Sequence, residues 1–118
     1  MRTSEKRLNK SLDNQIKQML YQTFVDLGNS TDVSGFLDSF LTEAEHETFA
    51  KRLAIAYWLR KGRSYSNIKT NLKVSSATIA SVQSMVEKPG FQKALKKLEA
   101  EEWASVWATR IKKFLPSS

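Results

Sequence analysis

The chain has 118 residues, of which 41% are hydrophobic, and carries a net charge of +7. This length is enough for one domain with a modest core. The absence of cysteine excludes disulfides and thiolate metal sites. No apolar run approaches the ~20 residues of a membrane-spanning helix, and the basic start of the chain lacks the apolar stretch of a signal peptide. We therefore expect a cytoplasmic protein, and its two Pro and four Gly favour helices over many short strands.

The first forty residues predict a long helix followed by a short one. Residues 4–27 carry apolar side chains at three- and four-residue steps, with Ser4 as the N-cap and Gly28 just after the end. The stripe consists of Leu8, Leu12, Ile16, Met19, Leu20, Phe24 and Leu27. Residues 30–35 are expected to form a polar connection. A brief second helix or turn is then expected from Phe36, Leu37, Phe40 and Leu41.

The clearest predicted helix covers residues 42–61. Thr42 and Glu45 have the spacing of a capping box, in which the carboxylate reaches back to the Thr42 amide. Acidic residues in the first turn and basic residues in the last turn suit the helix dipole, and Gly62 is the expected C-cap. The expected apolar positions are Phe49, Leu53, Ala56, Tyr57 and Leu59.

Two short helices, at about 64–72 and 75–87, predict a helix-turn-helix over residues 64–87. Ser64 caps the first helix and Ser75 or Ser76 the second. The residues that must be buried are Ile68, Leu72, Val74, Ile79 and Val82. Small or polar side chains at the outward positions would let the second helix approach base edges in the major groove. These are Ser75, Ser76, Ala77, Thr78, Ala80 and Ser81. The alternative is a plain helical hairpin with solvated hydroxyls.

All of the excess positive charge lies in residues 48–86, which hold seven basic residues and no acidic one. The remaining chain has twelve basic and twelve acidic residues. Like charges at close spacing repel, so a one-sign segment favours a polyanionic partner, and around a helix-turn-helix that partner is double-stranded DNA. The predicted phosphate contacts are Arg60, Lys61, Arg63, Lys69 and Lys73. The alternatives are an ordinary basic protein, or a helical interaction module whose basic segment binds an acidic protein partner.

Pro89-Gly90 is expected to break the chain, and residues 91–115 predict one long or two shorter amphipathic helices. Their apolar positions are Phe91, Leu95, Leu98, Trp103, Val106, Trp107, Ile111 and Phe114. The role of the extension 99–118 stays open between added dimer core and an amphipathic helix for a protein partner or a membrane surface.

Residues 41–87 resemble the Trp repressor family, including its YerC/YecD-type relatives, a family that is itself a standard example of the helix-turn-helix. The resemblance is carried by Leu41-Thr42 with the acids after them, Arg52, Leu59-Arg60-Lys61-Gly62, Ile68-Lys69, Leu72 and Ala77-Thr78-Ile79. It implies an all-α fold of about six helices, an intertwined homodimer, and a transcriptional regulator that acts as a repressor. It also implies Lys69 as a phosphate ligand, and Ser76, Ala77, Thr78 and Ala80 at base edges.

The resemblance also implies an effector pocket, but with altered residues. In tryptophan-binding members, an arginine on the long helix and another on the reading helix sandwich the indole. Arg52 matches the first, whereas the second falls at Ser81, a following glycine falls at Val82, and a serine that helps to hold the amino acid falls at Met85. Thr42 completes the expected pocket. These changes argue against L-tryptophan as corepressor and leave another small molecule, or no effector.

The sequence predicts neither an enzyme nor a cofactor. It has no Ser/His/Asp arrangement and no glycine-rich phosphate loop. His46, the single histidine, has no neighbours with metal-ligand spacing and is expected to be a surface residue. The expected organisation is one helical domain, with residues 1–41 and 91–115 for dimerisation, 42–62 as the central helix and 64–87 as the DNA reader.

Overall fold

The computed structural model describes the backbone of residues 8–114 and the side chains of residues 8–102. This part of the chain contains helices and no strand, which confirms the all-α class. The helices, in order, are α1 (Lys10–Leu27), α2 (Ser30–Phe40), α3 (Glu43–Arg60), α4 (Tyr65–Leu72), α5 (Ser76–Gln83) and α6 (Pro89–Phe114).

The predicted start of the first helix is wrong. Asn9 is the N-cap of α1, because its backbone is extended and its side chain accepts a hydrogen bond from the Leu12 amide at 2.8 Å. Ser4 lies outside the described residues. The predicted end is correct: Gly28 has a φ of 71°, a left-handed conformation that glycine adopts without a steric cost.

The predicted polar connection over residues 30–35 is also wrong, since this stretch is the first half of α2. The side chain of Asn29 caps the helix by accepting a hydrogen bond from the Asp32 amide at 2.9 Å. Only Gly28 and Asn29 therefore join α1 to α2. Ser, Thr and Asp, which occupy the first turn of α2, are common in loops but are also favoured at helix starts.

The chain divides into two compact units, Met1–His46 and Glu47–Ser118. In the first unit, no side chain of α1 or α2 is buried. Phe36 makes an edge-on contact with Phe24 and a stacked contact with Phe40, at centroid distances of 5.8 and 4.9 Å. Much of the apolar stripe of α1 stays exposed, including Leu12, Ile16, Met19, Leu20 and Phe24.

The start of α3 has the predicted capping box. The Thr42 amide donates to Glu45 Oε1 at 2.9 Å, and the Glu45 amide donates to Thr42 Oγ1 at 3.1 Å. Near its other end, Gly62 has the left-handed φ of 83° expected of a residue that follows a helix. Two local patterns in the sequence thus defined both ends of this helix.

The core of the second unit consists of Ile55, Ala56, Ile68, Ile79, Val82 and Leu95, contributed by α3, α4, α5 and α6. The predicted burial of Ile68, Ile79 and Val82 is confirmed, and Leu72 and Val74 are half-buried. In α3 the prediction was less accurate, because Phe49 and Leu53 are 57% and 41% exposed while Ile55 was missed. The apolar side chains of α3 lie on every face of the helix, so the periodicity of the sequence could not indicate which face is buried.

Pro89 begins α6 and does not break the chain, because the first helical position needs no backbone N–H from its residue. Residues 89–114 form one helix, so of the two predicted possibilities the long helix is present. The predicted apolar face beyond residue 102, which includes Trp103 and Trp107, lies outside the described side chains. In the described part of the chain, no helix is both long enough and apolar enough to cross a membrane.

Candidate nucleic-acid interface

The helix-turn-helix is formed by α4 and α5, and a serine caps each helix. Ser64 Oγ accepts from the Asn67 amide, and Ser75 Oγ accepts from the Thr78 amide, both at 3.1 Å. Ser75 is therefore the cap that the sequence left open between two serines. The second helix ends at Gln83, earlier than predicted, and turns connect it to α6.

The turn between the helices contains a strained backbone conformation that the sequence did not predict. Lys73 has φ 55° and ψ 54°, the left-handed conformation, and its N–H donates to the carbonyl of Lys69. A residue with a Cβ in this conformation costs about 1–2 kcal/mol. The turn is followed by half-buried Val74, which packs against the core of this unit.

The predicted reading face lies at the surface of this unit. Six residues at the start of α5 are exposed around buried Ile79: Ser75, Ser76, Ala77, Thr78, Ala80 and Ser81. The hydroxyls of Ser75 and Thr78 are 2.9 Å apart and hydrogen-bonded to each other. The cap of α5 thus also orients Thr78, one of the predicted base-reading side chains.

All five predicted phosphate ligands are exposed residues, and three of them, Arg63, Lys69 and Lys73, lie along α4 and at its two ends. The Arg63 guanidinium lies 4.0 Å from the centre of the Trp58 ring, and its Nη1 donates to Asn67 Oδ1 at 3.3 Å. A cation over an indole face is held in place while its edge stays open to solvent.

The other two predicted phosphate ligands are paired with acids of α6. Arg60 Nε donates to Glu99 Oε1, and its Nη1 donates to Gln92 Oε1 at 2.7 Å. Lys61 Nζ lies 3.1 Å from Glu102 Oε2. The segment 48–86 has no acid in its sequence, but the fold brings two acids of α6 to Arg60 and Lys61.

Tyr57 adds a third contact to this cluster, because its hydroxyl donates to Glu102. That hydrogen bond, followed by desolvation and the nearby negative charge, raises the pKa of Tyr57 to about 12. The same bond and the one from Lys61 lower the pKa of Glu102. The carboxylate of Glu102 is therefore stabilised by two donors from α3 and the residue that follows it.

Four of the five predicted effector residues border a shallow cleft of about 350 Å³ between α3 and α5. Arg52, Ser81 and Met85 meet there, and Arg52 Nη2 donates to Met85 Sδ at 2.9 Å. Val82 also lines the cleft but is 1% exposed and belongs to the core. Thr42 belongs to the other compact unit, where it forms the capping box of α3. Thr48, Ala77 and Thr78, which were not predicted as pocket residues, complete the lining.

Comparison with known proteins identifies the family of the chain. The family model described as Trp repressor protein matches residues 15–99. Over 64 residues the chain is 33% identical to the protein of Bacillus subtilis (strain 168) described as uncharacterized protein YerC; the match covers 54% of this chain and 62% of that relative, less than two thirds of its length. No solved structure matches the chain significantly. The chain belongs to the Trp repressor family, a family of DNA-binding regulators.

Proposed function

We propose that the protein is a cytoplasmic, homodimeric transcriptional regulator that binds double-stranded DNA sequence-specifically and represses by occupying its operator. The observation that carries this proposal is the exposed, small and polar start of α5, which stands over buried Ile79 and Val82 and beside three exposed cations. Small side chains allow a helix to approach base edges, and cations beside it bind the flanking phosphates.

The two kinds of contact have different roles. Arg63, Lys69 and Lys73 bind phosphates and add affinity for every sequence, because the backbone charge is the same at each base pair. Ser76, Ala77, Thr78, Ala80 and Ser81 face the base edges, and these side chains select the operator.

The homodimer is supported by exposed apolar side chains in both compact units. Met19 and Val25 of α1 are 67% and 71% exposed, and Phe49 of α3 is 57% exposed. Leu12, Ile16, Leu20 and Phe24, which recur at four-residue steps along α1, are exposed as well, and an exposed apolar stripe of this kind marks an interaction site. A symmetric dimer would cover them and set two reading helices about one DNA turn apart. Sedimentation equilibrium should give twice the 13.5 kDa mass of the chain; a 13.5 kDa species at micromolar concentration would contradict the dimer.

The cleft beside Arg52 is the place where an effector would bind, and its lining argues against L-tryptophan as that effector. Ser81 supplies no second cation for the indole, and the guanidinium of Arg52 is already bonded to Met85. We therefore propose that DNA binding does not depend on L-tryptophan.

The test begins with selection of bound sites from random duplexes, followed by filter-binding titrations of three variants. Lys69→Ala should weaken binding to all duplexes alike, whereas Thr78→Ala should change the preference among them. Lys93→Ala, which removes an exposed lysine of α6, serves as the charge-matched control and should have a smaller effect. Binding without any sequence preference would overturn the regulator and favour the interaction module with an acidic protein partner.

A further inference from the structure

Two ion pairs connect the C-terminal end of α3 to α6. Arg60 is bonded to Glu99, and Lys61 to Glu102. All four side chains are partly exposed, at 28% and 37% for the first pair and 45% and 41% for the second. The two basic residues lie immediately before Gly62 and Arg63, at the entrance to the helix-turn-helix.

The cluster has no net charge as it stands, because two cations are paired with two carboxylates. A phosphate offers a guanidinium or an ammonium group the same kind of anionic oxygen as a carboxylate does. A phosphate and the acid of α6 therefore compete for one cation.

We propose that Glu99 and Glu102 withhold Arg60 and Lys61 from DNA, so that α6 is an internal competitor for phosphate. The inference rests on the proposed DNA-binding function. In this arrangement the phosphate contacts of the unmodified protein come from Arg63, Lys69 and Lys73. The acids of α6 set the salt dependence and the upper limit of affinity without touching the DNA.

The geometry indicates that α6 holds the two cations in fixed positions and does not merely attract them loosely. Arg60 is held by Gln92 as well as by Glu99, which fixes the guanidinium toward α6. Glu102 receives hydrogen bonds from Tyr57 and Lys61, so its position does not depend on the lysine alone. Exposed ion pairs are nevertheless weak, and removing the charge of one acid should be enough to release its cation.

The experiment measures how the affinity for a selected duplex depends on salt. Each cation that binds a phosphate contributes about −0.9 to the slope of log K against log salt. Glu99→Gln and Glu102→Gln should each make the slope steeper by about 0.9 per protomer, which corresponds to about three- to fourfold more tightening between 200 and 50 mM salt for each released cation. Glu101→Gln, at an exposed position of the same helix, is the matched control and should leave the slope unchanged. Melting curves of all three variants verify that they are folded.

Charge removal at the cations completes the test. In the unmodified protein, Arg60→Gln should leave the slope unchanged, whereas Lys69→Gln should reduce it by about 0.9 per protomer. In the Glu99→Gln background, Arg60→Gln should cancel the added slope. Equal effects of Arg60→Gln and Lys69→Gln in the unmodified protein would overturn the inference, as would equal effects of Glu99→Gln and Glu101→Gln. Failure of the proposed function would look different, because selection from random duplexes would then yield no preferred sequence, and the inference would lose its basis whatever the slopes of the variants.

Discussion

The guanidinium of Arg52 on α3 donates a hydrogen bond to the sulfur of Met85, 2.9 Å away, in the turns that follow α5. The two residues are 33 positions apart in the chain and meet at the cleft beside the reading helix. The contact engages the group that the family resemblance would assign to an effector. It also connects α3 to the turns that follow α5.

The first prediction concerns L-tryptophan. We expect saturating L-tryptophan to change neither the affinity for the selected operator nor the melting temperature, because a ligand that does not bind the folded state cannot stabilise it. Filter binding and thermal melts, with and without the amino acid, provide the measurement. A melting temperature that rises with the L-tryptophan concentration would show that the cleft accepts it despite Ser81 and Met85.

The second prediction concerns the core beneath the reading face. Ile79 is fully buried, so Ile79→Ala should lower the free energy of unfolding by about 2–4 kcal/mol through lost burial and the resulting cavity. Ile79→Val should cost only about 0.5–1.5 kcal/mol. Urea titrations at one fixed protein concentration measure both. Ser76→Ala, at an exposed neighbour, should stay within about 0.5 kcal/mol of the original protein; a loss as large as that of Ile79→Ala would mean that the reading face itself is buried in solution.

The third prediction concerns the strained turn. Lys73 has a φ of 55°, so Lys73→Gly should be more stable than Lys73→Gln by about 0.5–1 kcal/mol, because glycine adopts this conformation freely. Both variants lose the same charge and should reduce the salt slope of DNA binding equally, by about 0.9 per protomer. Urea titration and filter binding separate the two effects. Identical stability of the two variants would argue that the turn carries no strain.

The fourth prediction concerns the capping box. The hydrogen bond from the Thr42 amide, and then that from its side chain, lower the pKa of Glu45. A lowered pKa in the folded state adds stability that is present above the ordinary pKa of 4.5 and is lost as pH falls through the folded value. Glu45→Gln should therefore lose less stability than the original protein between about pH 5 and pH 3.

Thermal melts across this range, followed by circular dichroism, measure the difference. Glu43→Gln is the control, since it removes an acid from the same helical turn without breaking the capping box. If both variants reduce the loss of stability at acid pH to the same degree, general charge repulsion rather than the Thr42 contact explains the pH dependence.

Local signals accounted for most of the helix boundaries. The N-caps Ser64 and Ser75 were predictable because each accepts a hydrogen bond from an amide only three residues further along the chain. The end of α1 at Gly28 was predictable because the left-handed conformation there is a property of a single residue. The start of α1 was not, because Ser4 and Asn9 are both good capping residues and preference alone cannot choose between them. The buried face of α3 was missed for a related reason, since a helix with apolar residues on every side takes its orientation from its neighbours.

By itself the sequence determined the helical class, the position of the helix-turn-helix and the segment in which the excess charge lies. These follow from periodicity, caps and residue counts, all of which act over a few neighbouring positions. Only the tertiary structure decided that Glu99 pairs with Arg60, 39 positions away, and that Met85 bonds to Arg52. These partners are determined by which helices pack together, and helix packing cannot be deduced from a pattern of neighbouring residues.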